Sequence, residues 1–157
     1  MKALISALTL VFILHFNSFS QETDPNKQLI KTFYKEIFDG IKWSDEIVDK
    51  YVVYEDSNYQ DAVNSVEYFQ KGTQESFVAA FKENILNDSI KLIGYEEFKE
   101  EDKAKFLRFD PKRYQDIYKL SFKDYPPIFV LLKDHQIESF FGFQKAQDDS
   151  YHFIIYH

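Results

Sequence analysis

The chain has 157 residues, of which 26 are acidic and 19 are basic, so its formal charge at neutral pH is −7. This balance argues against nucleic acid or an anionic lipid surface as a partner, because both are bound through clustered lysine and arginine side chains. The sequence has no cysteine, so disulfides and thiolate metal sites are excluded and the core must hold the fold alone.

The first twenty residues have the pattern of a cleaved signal peptide. Lys2 supplies a positive charge, and residues 3–16 form a mostly apolar stretch. Ser18 and Ser20 then give the small-x-small pattern that signal peptidase requires. A membrane-spanning helix needs about 20 apolar residues, and this run is shorter. We therefore expect cleavage before Gln21 and a secreted or periplasmic protein with no membrane contact after cleavage.

The mature chain, residues 21–157, is predicted to form a single α+β domain that follows the signal peptide of residues 1–20. Its first helix is expected to begin at Asp24-Pro25, an N-cap followed by a first-position proline, and to end before Gly40. One apolar stripe runs along this helix: Leu29, Ile30, Phe33, Tyr34, Ile37 and Phe38. A second, short helix is predicted to begin at Ser44.

A polar connection is predicted over residues 55–62, before a third helical region. Asn64 and Glu67 have the spacing of a capping box, Gly72 interrupts the pattern, and Thr73 restarts a helix. The apolar residues of this last helix share one face: Phe77, Val78, Phe81 and Ile85.

After residue 88 the apolar period changes from that of a helix to that of a strand. Strands are predicted at residues 89–98, 117–122, 128–133, 137–145 and 151–156. Short connections, such as Asp134-His135, make the sheet antiparallel. Residues 98–113 are charged, and their pattern leaves a long hairpin loop and a helical segment both open. The predicted fold is α+β, with N-terminal helices packed on one face of a curved antiparallel sheet of four to five strands.

This order of elements resembles the nuclear-transport-factor-2-like superfamily, a cystatin-like α+β cone in which a curved sheet wraps a long helix. The resemblance covers most of residues 27–157 and is carried by element order. It implies an apolar interior and, in those members that are enzymes, a carboxylate or histidine base enclosed with tyrosines. It also implies a homodimer formed through the open face of the sheet.

Two patterns in the sequence approach those of metal sites. On a strand over residues 151–156, His152 and His157 point to opposite faces, so they are poorly placed to bind one ion. Residues 56–67 approach the spacing of a calcium loop, but Asp61 occupies the position where that loop requires glycine. We therefore predict no metal site and no cofactor.

A binding site for a small apolar ligand is predicted between the sheet and the helices. Its expected lining is Tyr118, Phe129, Leu131, Phe141, Phe143 and Phe153, with Trp43 near the mouth. Ligand pockets are mostly apolar with few polar anchors, but these same residues could instead fill the core, which is the more common location of inward aromatic side chains. The favoured function is an exported binding or interaction domain for such a ligand or for a protein partner.

The alternative function is a small enzyme of the same fold that uses an enclosed carboxylate or histidine as its acid or base. Glu138 and His152 are the candidates, on condition that the strands face opposite to the predicted way. The predicted alternation directs Glu138 away from the helices.

Overall fold

The computed structural model describes residues 24–72, 76–122, 124–144 and 149–157. The predicted signal peptide and Thr73 lie outside these residues. Helices precede the sheet in the chain, so the predicted α+β class is confirmed. The four longer helices are α1 (Pro25–Asp39), α2 (Ser44–Tyr51), α3 (Tyr59–Lys71) and α4 (Ser76–Leu86).

Helix α1 has the ends that its sequence predicts. The Asp24 side chain accepts a hydrogen bond from the backbone N–H of Asn26 at 2.9 Å, which satisfies one of the free donors of the first turn. Gly40 ends the helix in the left-handed region, at φ 72°, where a side chain would be strained. The predicted apolar stripe is buried in the main core, apart from the partly buried Leu29.

Helix α3 begins earlier than the sequence predicts. The polar connection expected over residues 55–62 contains a 3-10 turn, Asp56–Asn58, that leads directly into α3. Its buried face consists of Ala62, Val63, Val66 and Phe69. Asn and Ser favour turns locally, but burial of an apolar face against neighbouring helices supplies most of a helix's stability. The prediction of a connection was therefore wrong, and the calcium-loop pattern lies mostly on a helix.

The sheet is a four-stranded antiparallel meander in the order β1-β2-β3-β4. Its strands are β1 (Lys91–Gly94), β2 (Ile117–Ser121), β3 (Ile128–Lys133) and β4 (Gln136–Ser139). Asp134 and His135 both have positive φ, at 49° and 61°, which is the geometry of a tight hairpin turn whose twist matches that of the strands. The predicted turn between β3 and β4 is confirmed.

The strand predicted over residues 137–145 is divided in two. Strand β4 ends at Ser139, and a separate strand, β5 (Gly142–Gln144), pairs with β6 (Tyr151–Phe153) in a two-stranded hairpin. The Ser139 hydroxyl donates to the carbonyl of Phe141 at 2.7 Å and so satisfies a backbone group at the break.

The last predicted strand is also shorter than expected. It ends at Phe153, after which Tyr156 forms an isolated parallel bridge with Tyr54. The backbone N–H of Glu55 donates to the carbonyl of Tyr156 at 2.8 Å. The C-terminal segment is thereby tied to the chain just after α2.

The main sheet is buried on both of its faces. On the first face, side chains such as Leu120, Val130 and Leu132 pack against the helices in the main core. On the second face, a smaller cluster that we call the second core contains Tyr95, Phe98, Phe106, Ile117, Phe129 and Leu131, with Tyr151 and Phe153 packed against it. The sheet face that the family resemblance expects to be open is therefore covered, and a homodimer stays a prediction.

The sequence pattern does not decide the structure of residues 98–113. This segment provides much of the layer that covers the second face of the sheet. Between β1 and β2 the chain forms short helical turns, including α5 (Glu100–Lys103) and two 3-10 turns, Ala104–Phe106 and Pro111–Asp116. The Phe106 ring lies 5.0 Å from that of Phe129, between centroids, in an edge-to-face contact. The charged segment between β1 and β2 thus contributes aromatic side chains, such as Phe106, to the second core.

We expect Phe106→Ala to lower the free energy of unfolding by about 3–5 kcal/mol, because it leaves a cavity in the second core. The neighbouring Leu107 is 75% exposed, so Leu107→Ala should change stability by no more than about 0.5 kcal/mol. Urea denaturation followed by tryptophan fluorescence and far-ultraviolet circular dichroism measures both values. Equal midpoints for the two variants would show that the second core is not part of the cooperative fold.

Candidate functional site

An apolar groove of about 470 Å³ lies where α3 and α4 meet the start of β3 and the β5–β6 hairpin. We call it the aromatic groove. Its aromatic lining consists of Tyr68, Phe69, Phe77, Phe129, Phe141, Phe143 and Tyr151, and its charged lining residue, within the described chain, is Lys105. The volume falls in the range of small-molecule sites, ~300–1,000 Å³.

The break between β4 and β5 creates one wall of this groove. Phe140 turns into the main core, where the Tyr34 hydroxyl donates a hydrogen bond to its carbonyl, while Phe141 lines the groove. Gly142 allows the hairpin to close against this wall, since a Cβ there would lie 2.2 Å from the carbonyl oxygen of His152. The wall therefore depends on a position without a side chain.

Three of the seven residues predicted to bind a ligand line the aromatic groove: Phe129, Phe141 and Phe143. The groove also borders the second core, to which Phe129 belongs, instead of lying wholly between sheet and helices. Sequence reasoning missed Lys105 and Tyr151. Lys105 falls in the segment whose structure the pattern leaves open, and the pattern around Tyr151 predicts only a strand.

The other four predicted residues lie elsewhere. Tyr118 faces the helices, where its hydroxyl accepts a hydrogen bond from the Asn26 side chain at 3.0 Å. Leu131 is fully buried in the second core, and Phe153 lines a different groove. Trp43 is 77% exposed and is not among the described lining residues of either groove. The structure therefore does not bring the seven residues together in one cavity.

A second groove of about 240 Å³ adjoins the first and is more polar. Lys105 and Tyr151 line both grooves, so the two spaces meet at these residues. Arg108, Ser150 and His152 are further lining residues of this second groove. Burial raises the pKa of Tyr151 to about 12, so its phenol is neutral at physiological pH.

Lys105 connects the grooves to a buried charge cluster. Its ammonium lies 3.2 Å from Oδ1 of Asp102, whose other oxygen accepts a hydrogen bond from Lys119. One carboxylate thus meets two ammonium groups, and this cluster of three carries a single net positive charge. Burial acts to raise the pKa of Asp102, but the hydrogen bonds from the two lysines outweigh it and hold that pKa below its usual value.

Glu138 is 1% exposed, on the sheet face that points away from the helices. Its Oε1 lies 2.5 Å from Nε2 of His157, and its Oε2 lies 2.6 Å from Nη2 of Arg113. The same arginine nitrogen, which carries two N–H groups, also donates a hydrogen bond to the carbonyl of Leu132. Glu138 points as the alternation predicts, but a second layer covers it.

The two C-terminal histidines have separate partners. The His152 ring stacks on that of Phe143 at 5.5 Å between centroids, and its Nε2 lies 3.3 Å from Oγ of Ser150. His157 contacts Glu138 instead. Across the part of the chain that the structure describes, no group of three histidine, aspartate or glutamate side chains is arranged to hold a metal ion.

Comparisons of the chain with protein-family models, with curated proteins and with solved structures find no match. Within the described residues, no helix has the length and apolar character needed to cross a membrane. The fold and site define an α+β protein with an aromatic groove beside a buried cationic cluster. Because a fold alone does not specify function, the chemistry of that site is what indicates a function.

We expect Asp102→Asn to destabilise the fold by about 2–3 kcal/mol at neutral pH, since it leaves two lysines without their anion. This is less than for a fully enclosed pair because long lysine side chains can turn toward solvent. Asp102 has a lowered pKa in the folded state, so its contribution is complete above its unfolded pKa of about 3.9 and is lost as pH falls through the folded pKa.

The difference in stability between wild type and Asp102→Asn should therefore narrow as the solution is acidified below about pH 4. Urea denaturation over a pH series measures it. Glu101→Gln is the matched control, because Glu101 is an exposed neighbour of the same charge and should have little effect. A difference that is constant with pH would contradict the assigned role of the Asp102 carboxylate.

Proposed function

We propose that the protein is an exported binding protein that holds a small apolar ligand in the aromatic groove. The observation that carries this proposal is the convergence of seven aromatic side chains, from helices, sheet and hairpin, on one open groove. A mostly apolar lining with few polar groups is the common character of small-molecule sites. The resemblance of the element order to that of cone-type proteins agrees with an apolar site of this kind.

The exposure of Phe143 supports a binding role in particular. This side chain is 48% exposed at the groove and stacks on His152, so part of an aromatic face remains in contact with water. Transfer of apolar surface from water to a ligand contact is favourable by roughly 25 cal/mol per Å². An apolar ligand in the groove would gain this free energy without rearrangement of the main core.

The alternative of an acid–base enzyme has weaker support. The Glu138 carboxylate contacts Arg113 and His157, and it does not appear among the described lining residues of either groove. A catalytic acid or base must lie within hydrogen-bond reach of its substrate. His152 lines the second groove and is the residue on which an enzymatic function would depend.

The export part of the proposal rests on the N-terminal sequence pattern. When the full chain is produced in a bacterial host, we expect the protein recovered from the periplasm or medium to begin at Gln21. Ser20→Arg should block cleavage, because signal peptidase requires a small residue there. Intact-mass measurement distinguishes the two forms. Recovery of the uncleaved wild-type chain in the cytosol would contradict export.

Ligand binding is tested with Nile red, a neutral apolar dye whose fluorescence rises in apolar surroundings. We expect saturable binding to the wild-type protein and an affinity about five- to tenfold weaker for Phe143→Ala, which removes about 1 kcal/mol of apolar contact. Leu107→Ala is the matched control, because it removes an exposed apolar side chain that is not a described lining residue of the groove.

Two results would overturn the proposed site. One is an absence of saturable dye fluorescence with the folded wild-type protein. The other is an equal loss of affinity in Phe143→Ala and Leu107→Ala, which would indicate nonspecific adsorption to exposed apolar surface.

A further inference from the structure

We infer that the ligand is an amphipathic monocarboxylate whose apolar chain lies in the aromatic groove and whose carboxylate contacts Lys105. This inference rests on the proposed function of the groove and adds the chemical class of the ligand. The position of Lys105, the charge of the cluster to which Lys105 belongs and the polarity of the adjoining groove support it.

Lys105 is placed to contact a head group at the end of the aromatic groove. It lines both grooves, so its side chain stands where the apolar space gives way to the more polar one. Its ammonium lies 5.5 Å from the ring centroid of Phe129, which is itself a lining residue of the aromatic groove. A ligand with its chain against Phe129 and Phe141 would therefore reach this ammonium with a terminal group.

The charge of the cluster favours an anionic head group. Asp102 neutralises one of its two lysines, and the remaining positive charge is shared between Lys105 and Lys119. The Lys105 side chain is the more exposed of the two, at 25% against 16%, and Lys105 is the one that lines the groove. A carboxylate at this position would receive a charge-assisted hydrogen bond, whereas an ammonium head group would be repelled.

A single negative charge matches this site better than a multiply charged group. Among the described residues, the cluster has one more positive than negative charge, and the chain as a whole is acidic at −7, which opposes the approach of polyanions. These features together favour a fatty-acid-like monocarboxylate over a phosphate ester or a nucleic acid.

The inference is tested by displacement of Nile red with three ligands that share one alkyl chain: decanoate, decanol and decylamine, each at neutral pH and below the concentration at which it aggregates or separates from solution. We expect decanoate to bind about tenfold more tightly than decanol, because of the charge-assisted contact, and decylamine to bind least. Lys105→Met keeps the aliphatic stem and removes the charge, so decanoate should lose its advantage over decanol. Lys105→Arg should retain it.

Lys99→Met is the matched control, because Lys99 is 80% exposed, is not a described lining residue of either groove and carries the same charge. The preference for decanoate should survive in this variant. Equal affinities of the wild type for decanoate and decanol would overturn the inference and leave the proposed apolar site intact. A preference that survives in Lys105→Met would overturn the placement of the carboxylate at Lys105. Failure of all three ligands and of the dye to bind would overturn both proposals.

Discussion

The structure depends on the burial of both faces of a small antiparallel sheet. Strand β3 is apolar at five consecutive positions, Ile128 to Leu132, and all five are buried. A strand with this pattern must be covered on both sides, because alternate side chains point to opposite faces. Helices α1 to α4 cover one face, and the segment between β1 and β2, with the β5–β6 hairpin, covers the other. The aromatic groove lies where these two covers meet.

The second cover also explains the buried charges. In a two-layer fold, Lys119 and Glu138 would point from the sheet into solvent. Here the covering segment brings an opposite charge to each, Asp102 to Lys119 and Arg113 to Glu138. Buried ion pairs contribute little net stability because both charges lose their hydration, but removal of one partner is unfavourable. These pairs therefore favour a single placement of the covering segment on the sheet, the one in which each buried charge has its partner.

The same arrangement gives the groove its chemical character. Asp102 contacts two lysines, so its pairing with Lys119 leaves positive charge at Lys105. The interaction that holds the covering segment in place thus also sets the charge at the end of an apolar space. The residues of this site are far apart in the sequence, since Lys105, Phe129 and Tyr151 come from three different elements.

The sequence by itself determined the features whose causes are local. Asp24, Pro25 and Gly40 define the ends of α1, and the Asp134-His135 turn fixes the β3–β4 hairpin, because capping and turn geometry depend on neighbouring residues alone. The apolar run of residues 128–133 predicted a strand, and the structure has β3 at those residues.

Only the tertiary structure decided where α3 begins, that the strand predicted over residues 137–145 breaks after Ser139, and that residues 98–113 cover the sheet. It also brought Phe129, Phe141 and Phe143 to one groove with Lys105 while it separated them from Trp43 and Leu131. Apolar periodicity reports which face of an element is buried and does not report which distant element buries it, since that choice is made by long-range packing and charge pairing.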